Sequence, residues 1–135
     1  MQETLSLGDG QVFKAATALA GGVARHGETC GALTGAIMAI GLVVGRERLE
    51  DVAQYNAAMA PAEEAYLRFQ KEVGHTCCAE IHRLLYGRTY RLHIPEERRA
   101  FHEAGGHSAT GCPSVCEKAA RIAADIILRL QDRQA

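Results

Sequence analysis

Residues 112–130 read Cys-Pro-Ser-Val-Cys-Glu-Lys-Ala-Ala-Arg-Ile-Ala-Ala-Asp-Ile-Ile-Leu-Arg-Leu. Val115, Ala119, Ile122, Ile126 and Leu130 recur at intervals of three and four, and Cys116, Ala120, Ala123 and Ile127 form the row beside them. Glu117, Lys118, Arg121, Asp125, Arg129 and Asp132 fall on the other side. Apolar residues at that spacing build one wide face of an α-helix, whereas a strand needs strict alternation. Pro113 suits the first helical position, which leaves Cys112 as the N-cap and puts Cys116 one turn later on the same side.

The same periodicity extends to the rest of the chain. Val12, Ala15, Ala16, Leu19, Ala20 and Val23 predict a helix over Gln11 to Ala24, weakened in its last turn by Gly21 and Gly22. Thr29 is placed to cap a glycine-rich helix over Cys30 to Val44, with Gly45 as its stop. Glu47 to Val73 is charged and amphipathic. Pro61 inside it predicts two helices or one bent helix. Cys77 to Tyr86 is a short helix closed by Gly87, Arg88 to Ile94 a loop, and Pro95 to Ala104 a helix with Pro95 in first position. Gly105 to Gly111 is loop by composition. No segment alternates with period two. The expected architecture is all-α, a bundle of five to six helices around a glycine- and alanine-rich central one, in one domain spanning residues 1–135.

Composition bounds the function. At 135 residues the chain is long enough to fold on its own core. Lys+Arg is 15 and Asp+Glu 16, so the net charge is −1 and no bulk basic field is available for nucleic acid or an anionic membrane. The apolar run between Gly31 and Gly45 is shorter than the twenty or so residues a bilayer span requires. Met1 to Gly10 carries no secretory signal, which points to the cytoplasm. The core is unusual in its make-up: 23 alanines and 14 glycines, no tryptophan, and five cysteines. In a reducing compartment such a cysteine set is metal-binding or catalytic more often than a disulfide framework, and five cannot all pair.

Position singles the cysteines out. Cys30 opens the glycine-rich helix, Cys77 and Cys78 open another, and Cys112 and Cys116 lie in the first turn of the last. The positive end of a helix favours thiolate, the form that binds metals and attacks disulfides. Cys116 can also be read as a core residue, since it continues the apolar stripe. Adjacent Cys77 and Cys78 cannot face the same way, so one is expected to take part and the other to pack. Four thiolates from Cys30, Cys77 or Cys78, Cys112 and Cys116 suit an iron–sulfur cluster or a structural zinc, and a redox dithiol is the third use. The glycines after Cys30 read as clearance for such a group or for a close partner helix, and the Gly31, Gly35 and Ala39 face motivates a homodimer. Of the histidines, His82 shares a helical face with Cys78 four residues before it. His75 and His107 sit in loops near cysteines, and His26, His93 and His102 read as surface residues. The four tyrosines read as surface packing.

Gly27-Glu28-Thr29-Cys30-Gly31-Ala32-Leu33-Thr34-Gly35-Ala36, with Gly41-Leu42 and Gly45 after it, resembles the central motif of the redox-active proteins named for a C–GCAxxG–C–C cysteine pattern. Cys77-Cys78 with Leu85-Tyr86-Gly87, and then Cys112-Pro113, resemble that family's two downstream cysteines. The C-terminal half is similar to the iron–sulfur domain of split-Soret cytochromes, without their haem-binding portion. The resemblance runs from about Gly10 to Leu130. It implies an all-helical redox domain with a cysteine-bound 2Fe–2S cluster, dimeric, passing electrons to a redox partner protein. It implies an electron carrier before a catalyst and, if an enzyme, an oxidoreductase. The local order here is Cys-Gly-Ala-x-x-Gly, and no cysteine precedes Cys30, so Cys116 is expected to supply the thiol the family places upstream.

Overall fold

A computed structural model describes residues 2–134. Its helices are α1 (Gln2–Leu5), α2 (Gly10–Ala16), a single 3-10 turn (Thr17–Leu19), α3 (Gly31–Val44), α4 (Val52–Val73), α5 (Cys78–Tyr86), α6 (Pro95–Glu103) and α7 (Cys112–Gln134). Among the described residues there is no strand beyond one isolated bridge between Thr29 and Cys77, so the chain is all-α.

Three long helices build the frame. α3 turns Leu33, Ala36, Ile40 and Val44 inward, α4 supplies Ala65 and Phe69, and α7 supplies Val115, Ala119, Ile122, Ala123, Ile126 and Ile127, all buried in one cluster. The expected stripe of α7 is thus its packed face. Phe69 is the bulkiest member, in keeping with a core made of small and branched side chains. Charged pairs tie the outer edges of α4 and α7. Arg68 reaches Asp125 at 2.5 Å and Glu64 at 3.2 Å, Arg129 meets Glu64, and Arg121 meets Glu72. The Arg68 hydrogen bond holds the Asp125 carboxyl below its usual value.

Several boundaries differ from expectation. The helix expected over Gln11 to Ala24 ends at Ala16, after a start capped by the Asp9 carboxylate on the Gln11 and Val12 amides. Beyond the 3-10 turn the backbone swings through positive φ at Gly21, Gly22, Val23, Ala24 and Arg25. α4 begins at Val52 rather than Glu47, because the Asp51 side chain caps the Gln54 amide at 2.9 Å. It then runs unbroken through Pro61. The proline frees one carbonyl, that of Ala57, which sits on the exposed side where water can take it. Cys30 rather than Thr29 caps α3, Cys77 caps α5, and α7 starts at Cys112 itself. Tyr90 is buried rather than superficial, in a second cluster with Leu92 and Phe101. No helix among the described residues is long and apolar enough to cross a membrane.

Candidate redox site

Two short extended segments bring the first thiols together. The Cys30 amide donates to the Thr76 carbonyl at 2.9 Å, the Cys78 amide to Glu28 at 2.7 Å, and the Ala79 amide to Gly27 at 2.9 Å. The entries to α3 and α5 are thereby stitched side by side. Gly22 makes this possible. A Cβ there would lie 2.7 Å from both the Cys78 Cβ and the Glu28 backbone, and its φ of +66° is one that glycine alone adopts easily. Gly31 has an equally local reason, since a Cβ would sit 2.6 Å from the Leu19 carbonyl oxygen. Its smallness is used inside the chain rather than on a partner face. The third element arrives through the loop after α6, where the Cys112 amide donates to the Gly106 carbonyl at 3.1 Å.

These three helix starts line one cavity of about 370 Å³. Cys30, Cys78, Cys112 and Cys116 all line it, together with His82 and a wall that includes Ile81, Leu92 and Phe101. Cys77 does not. Its thiol turns away and donates to the Gly27 carbonyl at 3.1 Å, and its amide donates to His75 Nδ1 at 2.9 Å. The structure therefore separates the adjacent pair, with Cys78 facing the cavity and Cys77 facing the backbone. Cys116 is exposed on the cavity's open side and is not the core residue its stripe position allowed.

His82 is the side chain that spacing hinted at and did not place. It is 1% exposed. Its Nε2 stands 3.7 Å from Cys78 Sγ and 4.0 Å from Cys112 Sγ, so those sulfurs are at most the sum of the two distances apart. Its Nδ1 is buried with no hydrogen-bond partner. Burial pushes the imidazole below its usual value; the Tyr90 backbone opposes this weakly without meeting hydrogen-bond geometry. The Tyr86 hydroxyl reaches Cys112 Sγ from another side at 4.0 Å, and burial pushes that phenol up to about 12. His107 lines the cavity too, while its Nδ1 meets that of His102 at 3.1 Å.

The expected lowering of the thiols by helix ends is outweighed. Burial raises Cys30, with the Ala32 and Leu33 amides pulling it partly back. Burial drives Cys78 up to about 12, reinforced by the neighbouring thiols. Cys112 and Cys116 are raised by the same cause; although Cys116 as a residue is exposed, its sulfur is shielded enough to feel it. In the metal-free protein the four thiols thus hold their protons, and binding a metal must displace them.

Among the described residues no three His, Cys, Asp or Glu side chains converge closely enough to hold a single ion. Cluster ligands bind different irons and can stand further apart than the ligands of one zinc. The cavity offers four cysteine sulfurs, a donor set used by iron–sulfur clusters and by tetrahedral zinc alike. No curated protein and no solved structure matches the chain. One family model does, that described as "Putative redox-active protein (C_GCAxxG_C_C)", and it covers residues 1–126, taking in all four cavity cysteines. With nearly the whole chain matched, the protein belongs to the C_GCAxxG_C_C family of redox-active proteins.

Proposed function

We propose that the protein is a small iron–sulfur electron carrier in which Cys30, Cys78, Cys112 and Cys116 hold a cluster of the 2Fe–2S type. The observation that carries this reading is the convergence of four thiols from three helix starts on one largely apolar cavity of about 370 Å³. When bound, the cluster supplies one-electron transfer. The residues around it bind and shelter it. Ile81, Leu92 and Phe101 keep water from the inner wall, and the small residues Ala20 and Gly35 leave space beside it. The open side at Cys116 gives an approach for a redox partner protein.

Iron, zinc and acid-labile sulfide, counted on anaerobically prepared protein, test the reading. Two irons and two sulfides per chain, with the colour of a cluster, are expected. One zinc and no redox response would select a structural zinc site instead. A metal-free protein whose thiols titrate reversibly as a two-electron couple would select a dithiol oxidoreductase.

A further inference from the structure

His82 cannot be explained as packing. A polar ring excluded from water needs a hydrogen-bond partner, and the atoms within reach of its Nε2 are the two sulfurs. α5 places it one turn after Cys78, so ring and thiol project into the cavity together. Its orientation is fixed on every side. Phe101 stacks on its face at 4.8 Å and 23°, and the edges of Tyr86 and Tyr90 close in at 5.8 and 6.1 Å. A neutral imidazole has one N–H and one lone-pair nitrogen, while a cysteine thiolate only accepts. A proton on Nδ1 would find only the Tyr90 backbone, outside hydrogen-bond geometry, and would aim a lone pair at two sulfurs. A proton on Nε2 gives the donor two acceptors and leaves only an acceptor unpaired.

We propose that His82 donates from Nε2 to the sulfurs of Cys78 and Cys112 in the loaded centre and thereby sets its reduction potential, acting as a positioning residue and not as a ligand. The inference rests on the iron–sulfur reading above. Hydrogen bonds to ligand sulfurs favour the more negative, reduced state and so raise the potential.

The test compares wild type, His82→Phe and His82→Gln, each reconstituted anaerobically with ferrous iron and sulfide. Iron and sulfide are counted, and the potential is read by mediated titration. Phenylalanine keeps the stacking on Phe101 and removes the N–H; glutamine restores a side-chain donor. Equal iron in all three is expected. The reduced-to-oxidised ratio of the Phe variant should fall about tenfold at fixed potential, a 59 mV drop for a one-electron couple, with part of it recovered by Gln. A Phe variant with wild-type potential overturns the inference. Should the Phe variant not fold, wild type labelled with ¹⁵N-histidine decides. A weak nitrogen coupling in pulsed electron resonance of the reduced centre supports donation. The strong coupling of a coordinated nitrogen, or no coupling, overturns it. A wild type that takes up no iron defeats the iron–sulfur reading itself, and this inference with it.

Discussion

Gly22→Ala tests whether the loop before α3 holds the site together. Two costs can be read from the structure. The φ of +66° is strained for any residue with a Cβ, by about 1–2 kcal/mol. The new methyl would also lie 2.7 Å from the Cys78 Cβ and from the Glu28 nitrogen and oxygen. None of these is a flexible side-chain end. Relief requires moving the Glu28 carbonyl, which accepts the Cys78 amide at 2.7 Å, and overpacking of this kind costs about 1–3 kcal/mol more. Gly87→Ala is the matched control. Its φ is +73°, and a Cβ there meets nothing within 4 Å, so only the strain applies. Urea unfolding of the metal-free proteins should therefore place Gly22→Ala about 1–3 kcal/mol below Gly87→Ala, and thermal unfolding should separate them by roughly 4–12 °C. Gly22→Ala should also retain less iron after reconstitution, because Cys78 is the residue displaced. Equal losses in the two variants would refute the close approach of the loop to Cys78, and with it the account of how the thiols are gathered.

Serine at Cys30, Cys78, Cys112 or Cys116 should each reduce bound iron, while Cys77→Ser should leave the stoichiometry unchanged; metal analysis after reconstitution separates them. Phe69→Ala, at a site 1% exposed, should destabilise the fold by about 3–5 kcal/mol in urea, and a smaller effect would mean that the α3–α4–α7 core collapses around the gap. The Asp125 carboxyl titrates lower in the folded chain than in the unfolded one, so its stabilisation is present above the unfolded value of about 3.9 and is lost as pH falls through the folded value. Asp125→Asn should flatten the acid limb of a stability–pH curve below about pH 4, and an unchanged limb would exonerate the Arg68 pair. Dimerisation would use the groove that Gly35, Met38, Ala39 and Leu42 of α3 form with Phe13, which is 72% exposed. Light scattering should then give twice the chain mass, falling to one on Phe13→Glu.

What could be read ahead of the structure, and what could not, divides along the range of the interactions. The α7 stripe is decided by spacing within one helix, and Val115, Ala119, Ile122 and Ile126 are buried as expected. The same holds for the αL glycines that end α4 and α5, Gly74 and Gly87. Pro61 shows the limit of a local rule. A proline removes one hydrogen bond, but Ala65 and Phe69 on its C-terminal side are fastened to the core, and that packing outweighs the missing bond. Gln11 to Ala24 shows the converse. Its periodicity is helical as far as Val23, but the chain must turn back so that Gly27 to Cys30 can lie against Thr76 to Ala79, a pairing of segments about fifty residues apart. Spacing carries no trace of such a partner; only the glycine pair at 21 and 22, just past the 3-10 turn, marks where the chain turns back.

The cysteines obey the same division, and this bears on which of them carry the chemistry. Their position at helix starts was legible, because caps and periodicity are local. The orientation of Cys78 against Cys77 was not, because it is set by the bridge between Thr29 and Cys77 and by the Gly27 carbonyl that takes the Cys77 thiol. Helix ends suggested thiols made acidic by the backbone; burial makes them hold their protons, since apolar surroundings disfavour like charges more than a few amides favour them. That opposition is itself informative. A metal-free thiol nucleophile gains from a lowered value, and none of these four sulfurs has one. On the proposed cluster reading, the four protonated thiols would release their protons on taking up metal, and the wall of Ile81, Leu92 and Phe101 would shield the group from water. With the proposed cluster bound, the exposed Cys116 would be the side from which an electron enters or leaves.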